Sequence, residues 1–225
     1  MYFLANGSDP LLLHFALSII EFWALHRWHS IALDERVRLR DGISHYILEA
    51  SAAQANAAAV DGTAKSVANR ANTVERYVLN KAVKVYVSIG KVEWPHDNPD
   101  FFATVSAVAQ RSETAALGVY MLRAISEDFA APVDSDVTSA RKRQLLQLLQ
   151  NEAPNIIAYL ASLLSSLLTS PTQWRGDALA TAQAALDTLS HYASWLPLDV
   201  IVRASNVLFD ALLGVLRMSR VAGGK

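Results

Sequence analysis

The sequence predicts an all-α fold, specifically an α-solenoid in which antiparallel helical hairpins lie side by side. Apolar residues recur at helical spacing along most of the chain, and no segment shows the strict alternation of a convincing β-strand. At two places a tryptophan and a proline interrupt this pattern, at Trp94-Pro95 and at Trp195-Leu196-Pro197. Because the residue before a proline is disfavoured in the helical region, each place predicts a corner between two packed helices.

The starts of the early helices carry recognisable capping signals. The first helix begins at Ser8-Asp9-Pro10, where a capping side chain precedes a proline in the first turn. The second begins near Asp34. The third begins near Asn72, because Glu75 follows at capping-box spacing. It ends at Trp94-Pro95, the first corner.

The later helices are bounded mainly by proline. A fourth helix follows Pro99, and a fifth covers about Thr114–Phe129. A long sixth helix is expected over about Thr138–Leu168, with a kink near Pro154 because proline removes a helical hydrogen bond. Two last helices, about Asp177–Ser194 and Leu198–Arg217, meet at the second corner.

These helices form about four pairs, and the pairs recur roughly every 40–60 residues, near the ~40–47 residues of HEAT repeats. We therefore predict a single HEAT/ARM-like solenoid over residues 1–217, with a disordered tail at 218–225. The segment 52–71 is rich in alanine and asparagine and is interpreted as an inserted loop. Because alanine favours helix, an extension of the preceding helix into this segment stays open. The predicted pairs span about residues 9–51, 73–110, 113–168 and 176–217.

The composition excludes several classes of function. The 225 residues are 52% hydrophobic and carry a net charge of −1, so no global charge draws the chain to nucleic acid or to an acidic membrane. Without cysteine there is no disulfide, thiolate metal site or cysteine nucleophile. The apolar run Leu11–Leu25 is interrupted by polar residues, and Ile156–Leu168 is shorter than the roughly 20 residues that cross a bilayer. No membrane insertion is predicted.

Both ends of the predicted array are unusually apolar. The first full helix is apolar nearly all round, and the last one has apolar residues on more than one side. Because a solenoid needs terminal repeats with a polar outer face, we expect the chain to be a slice of a longer array. The alternative is that an oligomer buries these ends.

No residue cluster predicts catalysis, a metal or a cofactor. His26 and His29 could ligate a metal but lack a third ligand. His96, Asp97 and Asp100 could form a small acid–base site, although Asp97 or Asn98 as a cap of the next helix explains the pattern more simply. Phosphate-loop and nucleophile-elbow motifs are absent from the sequence. The chain is therefore not expected to be an enzyme.

The two corners resemble those of the importin-β/exportin family of nuclear transport receptors. The matching residues are Ile89-Gly90-Lys91-Val92-Glu93-Trp94-Pro95, then Pro99-Asp100-Phe101-Phe102, and later Trp195-Leu196-Pro197-Leu198. Further ordered matches at Asn80-Lys81, Leu117-Gly118 and Ser139-Ala140-Arg141-Lys142 are most similar to the family member that carries actin bound to profilin.

This resemblance implies a nuclear export receptor that binds Ran-GTP and a protein cargo. For the family member with the most similar motifs, the cargo is actin–profilin. It also implies contact with nucleoporins and shuttling between nucleus and cytoplasm, with GTP hydrolysis left to Ran. The alternatives are a generic α-solenoid interaction scaffold and an import receptor of the same superfamily.

Candidate partner contacts follow from position. In the family, the second helices of early pairs face the concave side, here about Asp34–Ser51, Asp100–Gln110 and Thr138–Leu149. A lysine-rich face of the third helix could also meet an acidic partner, although such a face is more often simply solvated. The candidates are Arg36, Arg40, Lys81, Lys84, Arg141 and Arg143, while Trp94, Pro95, Trp195 and Pro197 are expected to be structural corners.

Overall fold

A computed structural model describes residues 9–60, 76–131, 137–169, 178–204 and 208–214. Within these ranges the regular structure is entirely helical, and residues 208–214 are helical as well. A short 3₁₀ turn, Trp28–Ser30, follows the first helix. The helices are α1 (Pro10–His26), α2 (Leu33–Val60), α3 (Arg76–Glu93), α4 (Phe101–Ala109), α5 (Ala115–Ala130), α6 (Ser139–Thr169), α7 (Ala178–Ala193) and α8 (Leu198–Ala204).

The helices pack as two layers. In one layer α1, α3, α5 and α7 contact one another in chain order. The intervening helices cover this layer: α2 packs on α3, α4 packs on α5, and α6 contacts α5, α7 and α8. Each hairpin thus buries its apolar faces against its neighbours rather than alone. The predicted all-α solenoid is confirmed.

Local signals explain where the helices begin and end. The Asp9 carboxylate accepts hydrogen bonds from the backbone N–H groups of Leu11 (2.9 Å) and Leu12 (3.4 Å), which caps α1 ahead of Pro10. Helix α3 ends at Glu93, directly before Trp94-Pro95, whose peptide bond is cis. Helix α6 is continuous from Ser139 to Thr169 with Pro154 inside it.

The expectation of a loop from residue 52 was wrong in its first part. Helix α2 continues to Val60, so residues 52–60 are helical. Alanine has the lowest cost of any residue in a helix, and this segment contains several alanines in succession. Residues 61–71, like the predicted tail at 218–225, lie outside the described residues.

Helix α3 is the centre of the core and is buried on almost every side. The lysine-rich face that the sequence predicts on α3 is exposed at Lys84, but Ser88 on the same face is only 3% exposed and Lys91 only 2%. These two residues are buried because α3 lies between α1 and α5 while α2 packs on it from the other layer. The Lys91 ammonium lies 3.9 Å from the Asp128 carboxylate of α5. Lys91 therefore serves a contact inside the fold, whereas Lys84 stays exposed.

Helix α1, in contrast, buries one side only. Leu13, Leu17 and Ala24 are buried on the helix that packs against α3. The sequence predicts a helix that is apolar nearly all round. Among the described residues, other helices cover only the side of α1 that packs against α3. Its exposed apolar side chains are Leu11, Leu12, Phe15, Ile19, Phe22 and Trp23.

Two glycines allow helices to approach closely. A Cβ atom at Gly118 of α5 would lie 2.3 Å from the Cα atom of Ala109 at the end of α4. A Cβ atom at Gly90 of α3 would lie 2.3 Å from the ring of Phe101, which is fully buried. No real Cβ contact is that short, so any larger residue forces these elements apart.

Candidate functional site

The first corner is organised around the carboxylate of Glu93, the last residue of α3. The Glu93 side chain is completely buried. Its Oε1 accepts a hydrogen bond from the indole N–H of Trp28 at 2.9 Å, and its Oε2 accepts one from Arg40 at 3.0 Å. The Arg36 guanidinium lies 3.9 Å from Glu93 and donates to the Asp97 carboxylate at 2.8 Å. We call Trp28, Arg36, Arg40, Glu93 and Asp97 the Glu93 hub.

The hub joins three parts of the fold that are far apart in sequence. Trp28 comes from the 3₁₀ turn, Arg36 and Arg40 from α2, and Glu93 from α3. A buried carboxylate without partners costs several kcal/mol, so these donors are what makes Glu93 tolerable in the core. The hub therefore fixes the relative positions of the first hairpin and α3.

Arg36 and Arg40 are consequently not free cations. Their side chains are only 12% and 16% exposed. Burial lowers the pKa of Arg40, but the hydrogen bond and charge of Glu93, together with Asp41, outweigh burial and leave that pKa above its ordinary value. The structure thus gives these two arginines an internal role and does not support their use as partner contacts.

Arg141, at the start of α6, caps the carboxyl end of α3. Its guanidinium donates to the carbonyl oxygens of Lys91 (2.8 Å) and Val92 (3.4 Å) and also to that of Trp94. A cation is favourable at the carboxyl end of a helix because the last carbonyls have no partner inside the helix. Burial lowers the pKa of Arg141 from its ordinary value. Arg141 thus ties α6 to α3.

The remaining candidates differ in exposure. Lys81 pairs with Glu21 and so connects α3 to α1. Lys84 and Arg143 are exposed, and neither side chain has a hydrogen-bond or ion-pair partner among the residues that the structure describes. Of the six predicted partner-contact cations, these two are the ones whose charges face solvent unpaired.

The indole of Trp94 fills the first corner. It is 5% exposed and contacts the rings of Phe102 (4.7 Å between centroids) and Phe129 (6.1 Å), while Pro95 is half-buried beside it. Phe101, from the same motif, stacks on Phe129 at 5.8 Å. This aromatic cluster joins α3, α4 and α5.

The second corner is more open. Trp195 is half-buried, and its indole N–H donates to the hydroxyl of Ser126 at 2.9 Å. Tyr192 is fully buried and donates to the carbonyl oxygen of Leu122 at 3.1 Å. Pro197 is exposed, and Leu196 rather than the proline enters the core.

The structure gives other roles to the residues that could suggest catalysis. Asp97 belongs to the Glu93 hub and does not cap α4, whose N-cap residue Asp100 makes no side-chain capping bond either. His26 and His29 are exposed. Across the described ranges, no three histidine, aspartate or glutamate side chains cluster closely enough to hold a metal ion.

Sequence reasoning missed the Glu93 hub, although its parts were visible. Glu93 lies inside the first corner motif, and Trp28 lies between His26 and His29, the two candidate metal ligands. A single acidic residue at the end of an apolar helix was the available signal, because a buried charge demands partners.

Among the described residues, none of the helices combines the length and the apolar character that a bilayer crossing requires.

Paired helices that stack in two layers, with hydrogen bonds and ion pairs between side chains at their turns, define a helical-repeat protein. The chain belongs to the family described as Exportin 1-like protein, whose model matches residues 75–222. Exportin-6-B of Xenopus laevis is 24% identical, Exportin-6 of Danio rerio 25% and Exportin-6 of Homo sapiens 23%. Each of these similarities covers 91% of this chain and 19%, 18% and 20% of the relative, respectively.

These comparisons confirm the resemblance to exportin-6 that the order of the motifs predicts. The similarity extends over nine-tenths of the chain rather than being confined to the corners. The chain spans about a fifth of the length of the curated relatives that it matches.

Proposed function

We propose that the chain forms part of a nuclear export receptor, which binds Ran-GTP together with a protein cargo in the nucleus and releases both in the cytoplasm. The observation that carries this proposal is the exportin-6 likeness over 91% of the chain, combined with the family match over residues 75–222. The two-layer helical array supports it, because stacked helical repeats present extended protein-binding surfaces.

The receptor itself performs no chemical step in this proposal. Hydrolysis of GTP belongs to Ran, and the receptor contributes only a difference in affinity between the two nucleotide states. Contact with nucleoporins and shuttling between nucleus and cytoplasm are parts of the same proposal. Actin–profilin is the proposed cargo, in line with the motifs that single out this member of the family.

Lys84 and Arg143 are the proposed partner contacts on this chain. Both are exposed cations without internal partners among the described residues, so they can meet acidic groups without a cost to the fold. Arg36, Arg40, Lys81 and Arg141 are not proposed for this role, because each already makes an internal contact described above.

The test is a pull-down of the full-length protein with Ran locked in its GTP form or loaded with GDP, with and without actin–profilin. Binding that requires GTP and strengthens with cargo supports the export receptor. Binding that strengthens with GTP but releases cargo indicates an import receptor of the same superfamily. Binding that ignores the nucleotide, or no binding, overturns the proposal in favour of a generic scaffold.

Two charge reversals then test the contact residues. Lys84→Glu and Arg143→Glu are expected to weaken Ran or cargo binding by about tenfold each, since a reversed charge at an interface costs on the order of 1.4 kcal/mol or more. Arg203→Glu is the matched control, because Arg203 is an exposed cation of α8, outside the three helices predicted to face the partners, and its ion pair among the described residues is with Asp199 one turn earlier. Equal effects of all three variants would show a general charge effect instead.

A further inference from the structure

An open groove lies at the edge of the array where three elements meet. It is lined by the end of α1 with its 3₁₀ turn, by Val92 at the end of α3, and by Val137, Thr138 and Arg141 at the start of α6. The groove has a volume of about 620 Å³. That volume falls within the range of ligand-sized clefts and is large enough for a few residues of an extended peptide.

The ionisable side chains of the groove are all basic. His26, Arg27, His29 and Arg141 line it, and no acidic side chain does so among the described residues. Arg141 is committed to the carbonyl oxygens at the end of α3. The Arg27 side chain is exposed and has no hydrogen-bond or ion-pair partner within the described part of the chain. Arg27 is therefore the cation that is available to a ligand.

The rest of the lining is mainly apolar. Ala24, Leu25, Trp28, Val92 and Val137 contribute to it. The Glu93 carboxylate is completely buried and accepts a hydrogen bond from the indole N–H of Trp28, which is itself only 2% exposed. The acidic group of the Glu93 hub is thus kept away from the groove.

From this combination we infer that the groove binds an acidic peptide segment, in which an apolar side chain is flanked by aspartate or glutamate. The apolar residue contacts Leu25 and Val92, one flanking carboxylate pairs with the Arg27 guanidinium, and the other accepts hydrogen bonds from the ring N–H groups of His26 and His29. Arginine recognises carboxylates with two parallel hydrogen bonds, which gives such a motif its specificity. This inference goes beyond the proposed function, since it needs neither Ran nor GTP.

A nucleic acid fits the same surface less well. Binding of a phosphate backbone requires a continuous basic track, whereas this groove is short and mostly apolar, and the net charge of the chain is −1. A carboxylate-bearing segment satisfies both the charges and the apolar walls.

The test uses the full-length protein and a fluorescein-labelled synthetic peptide of two leucines with paired glutamates on each side. Fluorescence anisotropy is expected to show saturable binding that falls about tenfold for Arg27→Glu, a loss that corresponds to one charge-assisted contact. Arg38→Glu, outside the groove, is the control and is expected to leave affinity unchanged. A peptide with lysines in place of the glutamates is expected to bind Arg27→Glu better than the unaltered chain.

Several outcomes overturn the inference. One is the absence of saturable binding. Another is equal affinity of Arg27→Glu and the unaltered chain for the acidic peptide. A third is that RNA displaces the labelled peptide, whereas an unlabelled acidic peptide at the same concentration does not. Thermal unfolding of each variant verifies that it is folded, and the Ran pull-down on Arg27→Glu separates failure of this groove from failure of the export-receptor proposal.

Discussion

The two corners both carry a tryptophan followed closely by a proline, but they are held together by different interactions. At the first corner the indole of Trp94 is 5% exposed, the adjacent Glu93 accepts from Trp28 and Arg40, and Arg141 clasps the backbone carbonyls. At the second corner Trp195 is half-buried, and the hydrogen bonds join neutral groups. The Trp195 indole N–H donates to the Ser126 hydroxyl, and the Tyr192 hydroxyl donates to the Leu122 carbonyl oxygen.

The difference follows from position in the stack. Helix α3 packs against α1, α2 and α5, so a charge at its end is enclosed and must find partners inside the fold. Helix α7 packs against α5 and α6, and the residues that follow it stay more open. A shared motif therefore predicts where the chain turns, while the neighbours decide how much that turn contributes to stability.

The first comparison is between the two tryptophans. Trp94→Ala is expected to lower the free energy of unfolding by about 3–5 kcal/mol, because it empties a closed aromatic cluster. Trp195→Ala is expected to cost only about 1–2 kcal/mol, since its side chain is only partly buried. Urea unfolding followed by circular dichroism measures both values. Equal losses would contradict the contrast between the corners.

A second comparison concerns the carboxylates. Glu93→Ala is expected to lower the free energy of unfolding by about 3–5 kcal/mol, since it leaves two mostly buried guanidinium groups without their shared partner. Glu127→Ala, near the second corner, removes a half-exposed partner of Arg123 and is expected to cost about 0–1 kcal/mol. The same urea titration serves for both variants. A loss at Glu93 no larger than that at Glu127 would show that the hub is energetically unimportant.

Gly90→Ala tests how tightly the first corner is closed. The new methyl group would meet Phe101, which cannot retreat because it is enclosed by the rings of Tyr86, Phe102 and Phe129. We expect a loss of about 1–3 kcal/mol from overpacking, measured as a shift of the urea midpoint. In the Gly90→Ala background, Phe101→Leu should recover part of that loss. If the second change only adds to the first, the clash is not the cause.

The smallest effect is expected at Tyr192, beside the second corner. Tyr192→Phe should cost about 1 kcal/mol, the net value of one neutral hydrogen bond. Burial raises the pKa of Tyr192 above its usual value of 10.0, so as pH rises the unfolded chain loses this proton first. The stability that this group contributes is complete below about pH 10 and is lost above it.

The pH dependence supplies the control for that variant. Above about pH 10 the unaltered chain should lose free energy of unfolding more steeply than Tyr192→Phe, because the variant has one buried phenol fewer. The comparison is made by urea unfolding at a series of alkaline pH values. Parallel curves for the two proteins would mean that Tyr192 is not held neutral by the fold.

Sequence patterns predicted the helices well because helical periodicity and proline are local signals. The predicted end of the third helix at Trp94-Pro95 and the structural end at Glu93 differ by one residue. The burial of Ser88 and Lys91 could not be predicted in this way, because it depends on α5 and α2 packing around α3. The Glu93 hub depends on contacts between residues more than 50 positions apart, which no local spacing reveals.

A double-mutant cycle between Arg40 and Glu93 tests most directly whether charged contacts hold the first corner. Urea unfolding would be measured for Arg40→Met, Glu93→Gln, the double variant and the unaltered chain. We expect a coupling free energy of about 1–3 kcal/mol, against about 0.5 kcal/mol or less for the exposed Arg123–Glu127 pair treated in the same way. Additive losses at Arg40 and Glu93 would contradict the account.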